Sequence, residues 1–514
     1  MSFPVEPSNR STERLAAPSG PRHAKRKSRA ARSRNIAIIF VGIIVIAAIA
    51  GYGYVRYRYG QIKKLSVGSL TRTSSSQPMN ILIVGSNSRA ALNGKQTSAF
   101  GTPQQVGGAR SDVTMILHID PKTQTTSLVS IPRDLFMPIP GSTLSNRVDA
   151  ALNSGPSQLV TTIEQDLGIT ISHYVELNFD TFQNIVQTLG GLDMYFPYPV
   201  RDAYSSLNIQ TTGCHYLNGF QALAVVRARH LEYKTASGSW VEDPLGDLSR
   251  IRRDHEFMRV LFGAVKQKGI SNPLTLNAIL SSVAPDLQVD SGFSLGEMIS
   301  LATKFRNLNP NTIPTATLPV ALENNFIYNG ANYGDVVFPA QPQDQSIINQ
   351  YLDIPTPNVK KNSFAISVLN GSGIAQQAGT VGQELTSDGF NVTSTGNSKV
   401  LGKDLETIVY YKPGYQQQAA LVRDSLSGAV IMGQSSTLTG APVEVITGTK
   451  LTVGKPAPPV TTQAPSITNP TSPATTSPPT TIAPITLAAT QAVTPLQPWD
   501  PRACPPGSPV TPVG

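Results

Sequence analysis

The chain has 514 residues, too many for one compact hydrophobic core, so two or more domains are expected. It carries 41 Lys and Arg against 32 Asp and Glu, a net charge of +9; Met1–Arg34 hold nine bases and two acids, so this tail alone accounts for +7. The positive charge therefore belongs to a short tail and not to a folded basic domain, which argues against a nucleic-acid partner.

Residues 1–34, rich in Ser, Pro and Ala, read as a disordered cytoplasmic tail. Ile36–Val55 is uncharged and about as long as the ~20 residues that cross a bilayer, so residues 35–56 are expected to form a single transmembrane helix. Tyr52, Tyr54, Tyr57 and Tyr59 gather at its far end as an aromatic belt would, and the basic tail places the amino terminus inside the cell and the remainder outside. A cleaved signal peptide ending near Ala48-Ile49-Ala50 is the rival reading; the long basic lead and the apolar run continuing past that site favour an uncleaved anchor. Residues 57–77 form a polar linker.

Met79–Val84 is a short apolar strand, followed by the loop Gly85-Ser86-Asn87-Ser88-Arg89. Val113–Ile119 and Thr126–Ile131 read as a β-hairpin closed by Asp120-Pro121-Lys122-Thr123, with Pro at the second turn position. Antiparallel pairing brings Arg110 and Asp112 beside Arg133 and Asp134. Two arginines and two carboxylates at one sheet edge suit a metal-bound polyphosphate: arginine grips phosphate oxygens in pairs, and a carboxylate holds a bridging Mg²⁺.

Beyond the hairpin, Gln158–Leu167 has helical spacing and stops at Gly168. Tyr174–Phe179 is a strand, Phe182–Leu189 a helix ending at Gly190-Gly191, and Leu192–Phe196 a strand. Leu217–His230 reads as a helix with Arg227 and Arg229 near its end. A second helix is expected from an N-cap at Asp247, with Arg250 and Arg253 three residues apart and projecting together. Strands alternating with helices give a layered α/β domain over residues 78–350. A linker at 351–362 leads to a small α+β domain at 363–449, patterned strand–helix–strand–strand–helix–strand. The Pro/Thr-rich residues 450–514 read as a disordered tail. The two cysteines, Cys214 and Cys504, leave two readings open, a disulfide and two free thiols.

These segments together carry a resemblance. GGARSD, HIDPKT, SLVSIPRD, HYVELNF, LNGFQALAVVRAR and DLSRIRRD resemble the motifs of the LytR–CpsA–Psr family, membrane-anchored enzymes that attach glycopolymers to bacterial cell walls; residues 363–449 look like the accessory domain of many members. The resemblance implies a mixed central sheet flanked by helices, and an active site that transfers a glycan from a polyprenyl diphosphate to peptidoglycan by phosphoryl transfer with Mg²⁺ or Mn²⁺. It implies roles for Arg110, Asp112, Arg133 and Asp134 in catalysis. Arg89, Arg110, Arg133, Arg227, Arg229, Arg250 and Arg253 would bind the pyrophosphate, and Asp112 and Asn87 the metal. The prenyl chain would lie among Phe182, Ile185, Val186, Leu261 and Phe262. Asn87 departs from the family, which usually has Asp there; an amide oxygen can still ligate a hard cation but brings no charge. Asp254 stands where Gln is usual, and Asp149 where Asn is. The rival readings are a non-catalytic prenyl-glycan binding protein and an envelope-related transcriptional attenuator.

Overall fold

The computed structural model describes residues 51–86, 110–142, 144–270, 277–354 apart from 280, 283 and 286, 358–399, 405–452 and 496–513. The expected tail 1–34, the loop residues Asn87 and Arg89, and nearly all of the expected membrane span lie outside these residues. Among the described residues no helix is long and apolar enough to cross a membrane. The chain divides into units 1–57 and 58–514.

The second unit is centred on a seven-stranded mixed sheet. The strands are β1 (Lys63–Leu65), β2 (Met79–Ser86), β3 (Ser111–Asp120), β4 (Thr125–Ser130), β5 (His173–Asn178), β6 (Gln288–Asp290) and β7 (Thr315–Thr317). Their order across the sheet is β1-β6-β5-β2-β3-β4-β7. The expected linker at 57–77 is therefore not all connector, because β1 adds an edge strand parallel to β6. Strand alternation divides β2 between two faces. Leu82 and Val84 pack with Ile116 and Val129 against Leu159 and Ile163 of α1 (Pro156–Leu167). Ile81 and Ile83 point the other way, toward Leu117, Val175 and Phe293. Over that second face lie α2 (Phe179–Thr188), α3 (Gly219–Arg227) and α4 (Gly246–Ala264), which with the strand Leu192–Phe196 form a second core around Val186, Leu223, Phe257 and Leu261.

Local signals explain the helix ends. Asn178 caps α2 by accepting from Thr181 N. Asn218 and Gln221 form a reciprocal capping box that starts α3, while Gly213–Leu217, whose last residue was expected to open this helix, is a strand. Gly168 ends α1 in the left-handed region, φ 72°, where glycine is favoured. Asp247 is not the N-cap of α4: Leu245 occupies that position, and the Asp247 carboxylate turns to arginines instead.

The small domain has the expected elements and two further strands, the short Ser427–Gly428 and Val430–Gln434, the latter at the edge of a five-stranded sheet. It docks on the end of α1. Arg423 Nη1 donates to Leu167 O at 2.9 Å, Gln416 Nε2 to Glu164 O at 2.6 Å, and Tyr411 Oη to Gln165 O at 3.0 Å, so three carbonyls of the helix's last turn are satisfied.

The carboxy-terminal end corrects a sequence expectation. Residues 496–513 are ordered against the main domain. Cys214 and Cys504 form a disulfide with Cα atoms 5.7 Å apart, Arg502–Ala503 pairs with Leu192–Phe196, and Val510–Pro512 pairs with Gly213–Leu217. Trp499 stacks on Tyr233 at 4.2 Å, and the fully buried Asp500 accepts from Arg252 Nε at 2.6 Å. The composition of the tail does not announce this fold, because the anchors are a single Trp, Asp and Cys whose partners lie some 250 to 290 residues away.

Candidate active site

The hairpin delivers the first half of the site. β3 and β4 pair with Met115 opposite Ser130, and Ile131 N donates to Thr114 O at 2.9 Å, which keeps the strands in step beyond the ladder. Continued outward, this register sets Arg133 opposite Asp112, and Arg133 Nη1 donates to Asp112 Oδ1 at 2.6 Å. Helix α4 delivers the second half. Asp247, Arg250 and Asp254, spaced three and four apart, share a face directed at the hairpin's open end. Arg250 Nε donates to Asp247 Oδ1 at 3.0 Å, its Nη2 to the Asp112 carbonyl oxygen at 2.7 Å, and its Nη1 lies 3.7 Å from Asp254. Arg229, just after α3, reaches Asp247 at 3.1 Å and Asp134 at 4.0 Å.

Between these groups and α2, α3 and α4 lies a cavity of about 360 Å³. Its walls are apolar, formed by residues that include Ile83, Met115, Phe179, Phe182, Leu223 and Met258. Arg133, Arg227, Arg229 and Arg250 line it as well, and among its lining residues Asp112 and Asp254 are the carboxylates. The Arg227 guanidinium also sits 4.9 Å over the Phe179 ring.

Burial sets the charge states here. It disfavours the charged form of Arg133, but Asp134, Asp247 and Asp112 outweigh it, and the pKa is raised. Burial also opposes ionisation of Asp247, but Arg250, Arg133 and Arg229 hold its pKa below the ordinary value, so Asp247 serves as a permanent counter-charge that orients three arginines. Asp254 goes the other way. Burial pushes its pKa up to about 7 against the pull of Arg250 and Arg253, and its oxygens accept no hydrogen bond among the described residues. Four guanidinium groups line the cavity beside the carboxylates of Asp112 and Asp254, with Asp247 and Asp134 pairing to them from outside the lining, and this concentration of guanidinium donors is complementary to an anionic ligand.

Not every expected residue arrives. Arg253 is a correction: it is completely buried behind the cavity, where Nη1 donates to Asp243 Oδ2 at 2.9 Å and Nη2 to Ala228 O at 2.7 Å. A three-residue step along a helix rotates a side chain by about 60° relative to its partner, and here that rotation carries Arg253 into the Asp243–Asp500 cluster. Arg110 lies beside the cavity without lining it, 3.9 Å from the buried Asp149, whose pKa burial raises to about 6 despite nearby arginines. Asp134 braces the site from behind through Arg133 and Arg147, each at 3.5 Å. Of the expected prenyl-contact residues Phe182 lines the cavity, whereas Val186 and Leu261 are core residues and Ile185 packs against that core. Sequence reasoning treated Asp254 only as an unusual residue; its place four residues after Arg250, on the same helix face, was the available signal.

The chain is similar to proteins already known. The profile of the LytR_cpsA_psr family matches residues 54–349, and that of the LytR cell envelope-related transcriptional attenuator matches residues 363–450. The probable cell wall biosynthesis protein LcpB of Corynebacterium glutamicum is 28% identical over 298 residues, covering 58% of this chain and 68% of that protein. The polyisoprenyl-teichoic acid–peptidoglycan teichoic acid transferase TagU of Bacillus mycoides is 28% identical over 285 residues, covering 51% of this chain and 82% of that protein. Among solved structures, the LytR-Csp2A-Psr enzyme from Actinomyces oris shares 26% identity with a TM-score of 0.45, covering 57% of this chain and 96% of that one. The first profile alone spans more than half of the sequence, and the chain belongs to the LytR_cpsA_psr family.

Proposed function

We propose that this protein transfers a glycopolymer from a polyprenyl diphosphate carrier onto peptidoglycan during cell-wall assembly, by phosphoryl transfer. One observation carries the reading: a cavity of about 360 Å³ with largely apolar walls is also lined by four arginines. An amphiphile with an anionic head satisfies both halves, and a prenyl diphosphate is such a molecule. The TagU relative, named for polyisoprenyl-linked teichoic acid and peptidoglycan, supports the same substrate class.

In this mechanism Arg133 and Arg250 are held rigid by Asp112 and Asp247, so their positive charge is in place before the reaction starts. A peptidoglycan hydroxyl attacks the glycan-linked phosphorus, the P–O bond to the prenyl phosphate breaks, and prenyl phosphate leaves with the bond's electrons. The arginines stabilise the charge that spreads over the phosphate oxygens. Asp254 takes the hydroxyl proton, since it lines the cavity and burial brings its pKa to about 7, close to the working pH.

A divalent cation fits a limited donor set here. Among the described residues no three acidic, His or Cys side chains gather into a metal cage. Asp112 lines the cavity, and one carboxylate suffices for Mg²⁺ or Mn²⁺ when phosphate and water oxygens complete the shell. Asn87 is proposed as a second ligand. A bound cation would neutralise part of the diphosphate's charge. We further propose that Ile36–Val55 anchors the protein in the cell membrane with the cavity outside.

The test is a transfer assay on the full chain in detergent or nanodiscs, with Mg²⁺, a glycan on polyprenyl diphosphate and nascent peptidoglycan. Release of polyprenyl phosphate with glycan on the acceptor is expected. Arg133→Ala should lower the rate by about a hundredfold or more, the loss seen when one preorganised charge-stabilising group is removed. Tight lipid binding without transfer would refute the enzyme and leave a binding module.

A further inference from the structure

At the cavity mouth stand two rings that the mechanism does not use. Tyr204 is 79% exposed, and His230 is exposed too; both line the cavity together with Arg229. Their ring centroids are 4.8 Å apart and the planes meet at 48°, so the pair forms an open angle and not a closed stack.

Exposed aromatic side chains are usually mobile, yet this pair is built on a rigid base. Asp202, 1% exposed, accepts from Tyr204 N at 2.8 Å and Ser205 N at 3.1 Å through Oδ1, and from His230 N at 2.9 Å through Oδ2. One buried carboxylate thus ties both backbones to a single point. The His230 ring is oriented in turn by Glu242 Oε1, 2.8 Å from Nδ1. A large apolar ring held in water is preorganised for a partner, because little conformational freedom remains to be lost on contact.

The chemistries that share the cavity say what that partner is. The cavity joins three chemistries: apolar walls, the guanidinium groups of Arg133, Arg227, Arg229 and Arg250, and the two exposed rings, of which His230 directly follows Arg229 in the chain. A prenyl chain in the interior and a diphosphate on the arginines leave the group on the distal phosphate at the rings. On the reading of the cavity as a prenyl-diphosphate site, we propose that Tyr204 and His230 form its saccharide subsite, stacking on the first sugar attached to the diphosphate. The apolar C–H face of a pyranose covers the Tyr204 ring, and its hydroxyls meet the His230 edge and the Glu242 carboxylate.

The experiment compares two probes on the full-length protein: a C15 prenyl diphosphate, and the same molecule bearing one N-acetylhexosamine on the terminal phosphate. Dissociation constants are measured for wild type, Tyr204→Ala and Tyr204→Phe. Tyr204→Ala should weaken the sugar-bearing probe about tenfold, as loss of one stacking contact of about 1.4 kcal/mol would, and leave the sugar-free probe unchanged. Tyr204→Phe should bind both as wild type does. If Tyr204→Ala affects both probes equally or neither, the subsite is refuted while the diphosphate reading stands. If wild type binds neither probe, the diphosphate reading falls and takes the subsite with it.

Discussion

Asp500→Ala tests why a chain end of low-complexity character folds. Behind α4, Asp243 and Asp500 face Arg252 and Arg253, and all four side chains are at most 4% exposed. Asp500 contacts Arg252 at 2.6 Å and 3.2 Å and Arg253 at 3.7 Å, and also accepts from Gln497 N at 2.6 Å. The cluster is neutral as it stands. Removing Asp500 leaves two guanidinium groups against Asp243 alone, a net buried positive charge. Breaking a buried pair in this way costs about 3–5 kcal/mol. Asp243 still holds Arg252 at 3.1 Å and Arg253 at 2.9 Å, so the lower end, about 3 kcal/mol, is expected. Trp499 is a local reporter, stacked on Tyr233 and donating to Asp243 Oδ2 at 3.1 Å. In a Trp240→Phe background it is the only tryptophan of the chain, which has two. Its fluorescence should track urea unfolding of this region, with the midpoint lowered in Asp500→Ala. Glu232→Ala, which breaks the exposed Arg201–Glu232 pair, serves as control and should cost less than about 1 kcal/mol. If Asp500→Ala shifts the transition no more than this control, the ion cluster does not hold the chain end in place.

Asp254 makes stability depend on pH. Its folded pKa of about 7 lies above the ordinary 3.8, so its contribution is complete below the ordinary value and is lost as pH rises through about 7. Thermal unfolding of wild type and Asp254→Asn should therefore diverge to the variant's advantage as pH rises from about 4 to about 7 and run parallel above that, and a constant difference across this range would refute the assignment. In the transfer assay the wild-type rate should climb through about pH 7, and Asp254→Asn should lose that limb; an unchanged profile would remove Asp254 as the base. Arg423→Ala removes the donor to Leu167 O at the end of α1, and amide exchange in the small domain's contact strand Thr407–Tyr411 should accelerate. Gly191→Ala places a Cβ into the Tyr216 ring at φ 85°, so a loss of more than about 2 kcal/mol is expected by chemical denaturation, and a neutral result would refute the close approach.

Much of the local structure was determined by the sequence itself. The hairpin of β3 and β4 arises from two apolar runs around Asp120-Pro121-Lys122-Thr123, and its register already places Arg133 beside Asp112. Helices α1 and α2 arise from apolar spacing and glycine stops. These are properties of near neighbours, for which spacing is geometry. Tertiary structure alone decided which charges meet. Arg250 and Arg253 differ by one helical step, yet one lines the cavity and the other is sealed behind it, because Asp112 approaches α4 from one side and Asp243 and Asp500 from another. Asp247 looked like a helix cap and became the counter-ion of three arginines. The burial that raises Asp254, the Asp202 tether beneath Tyr204 and His230, and the folding of residues 496–513 all depend on contacts between distant segments, where the desolvation of a charge is set by what the fold packs around it and not by its neighbours in the chain.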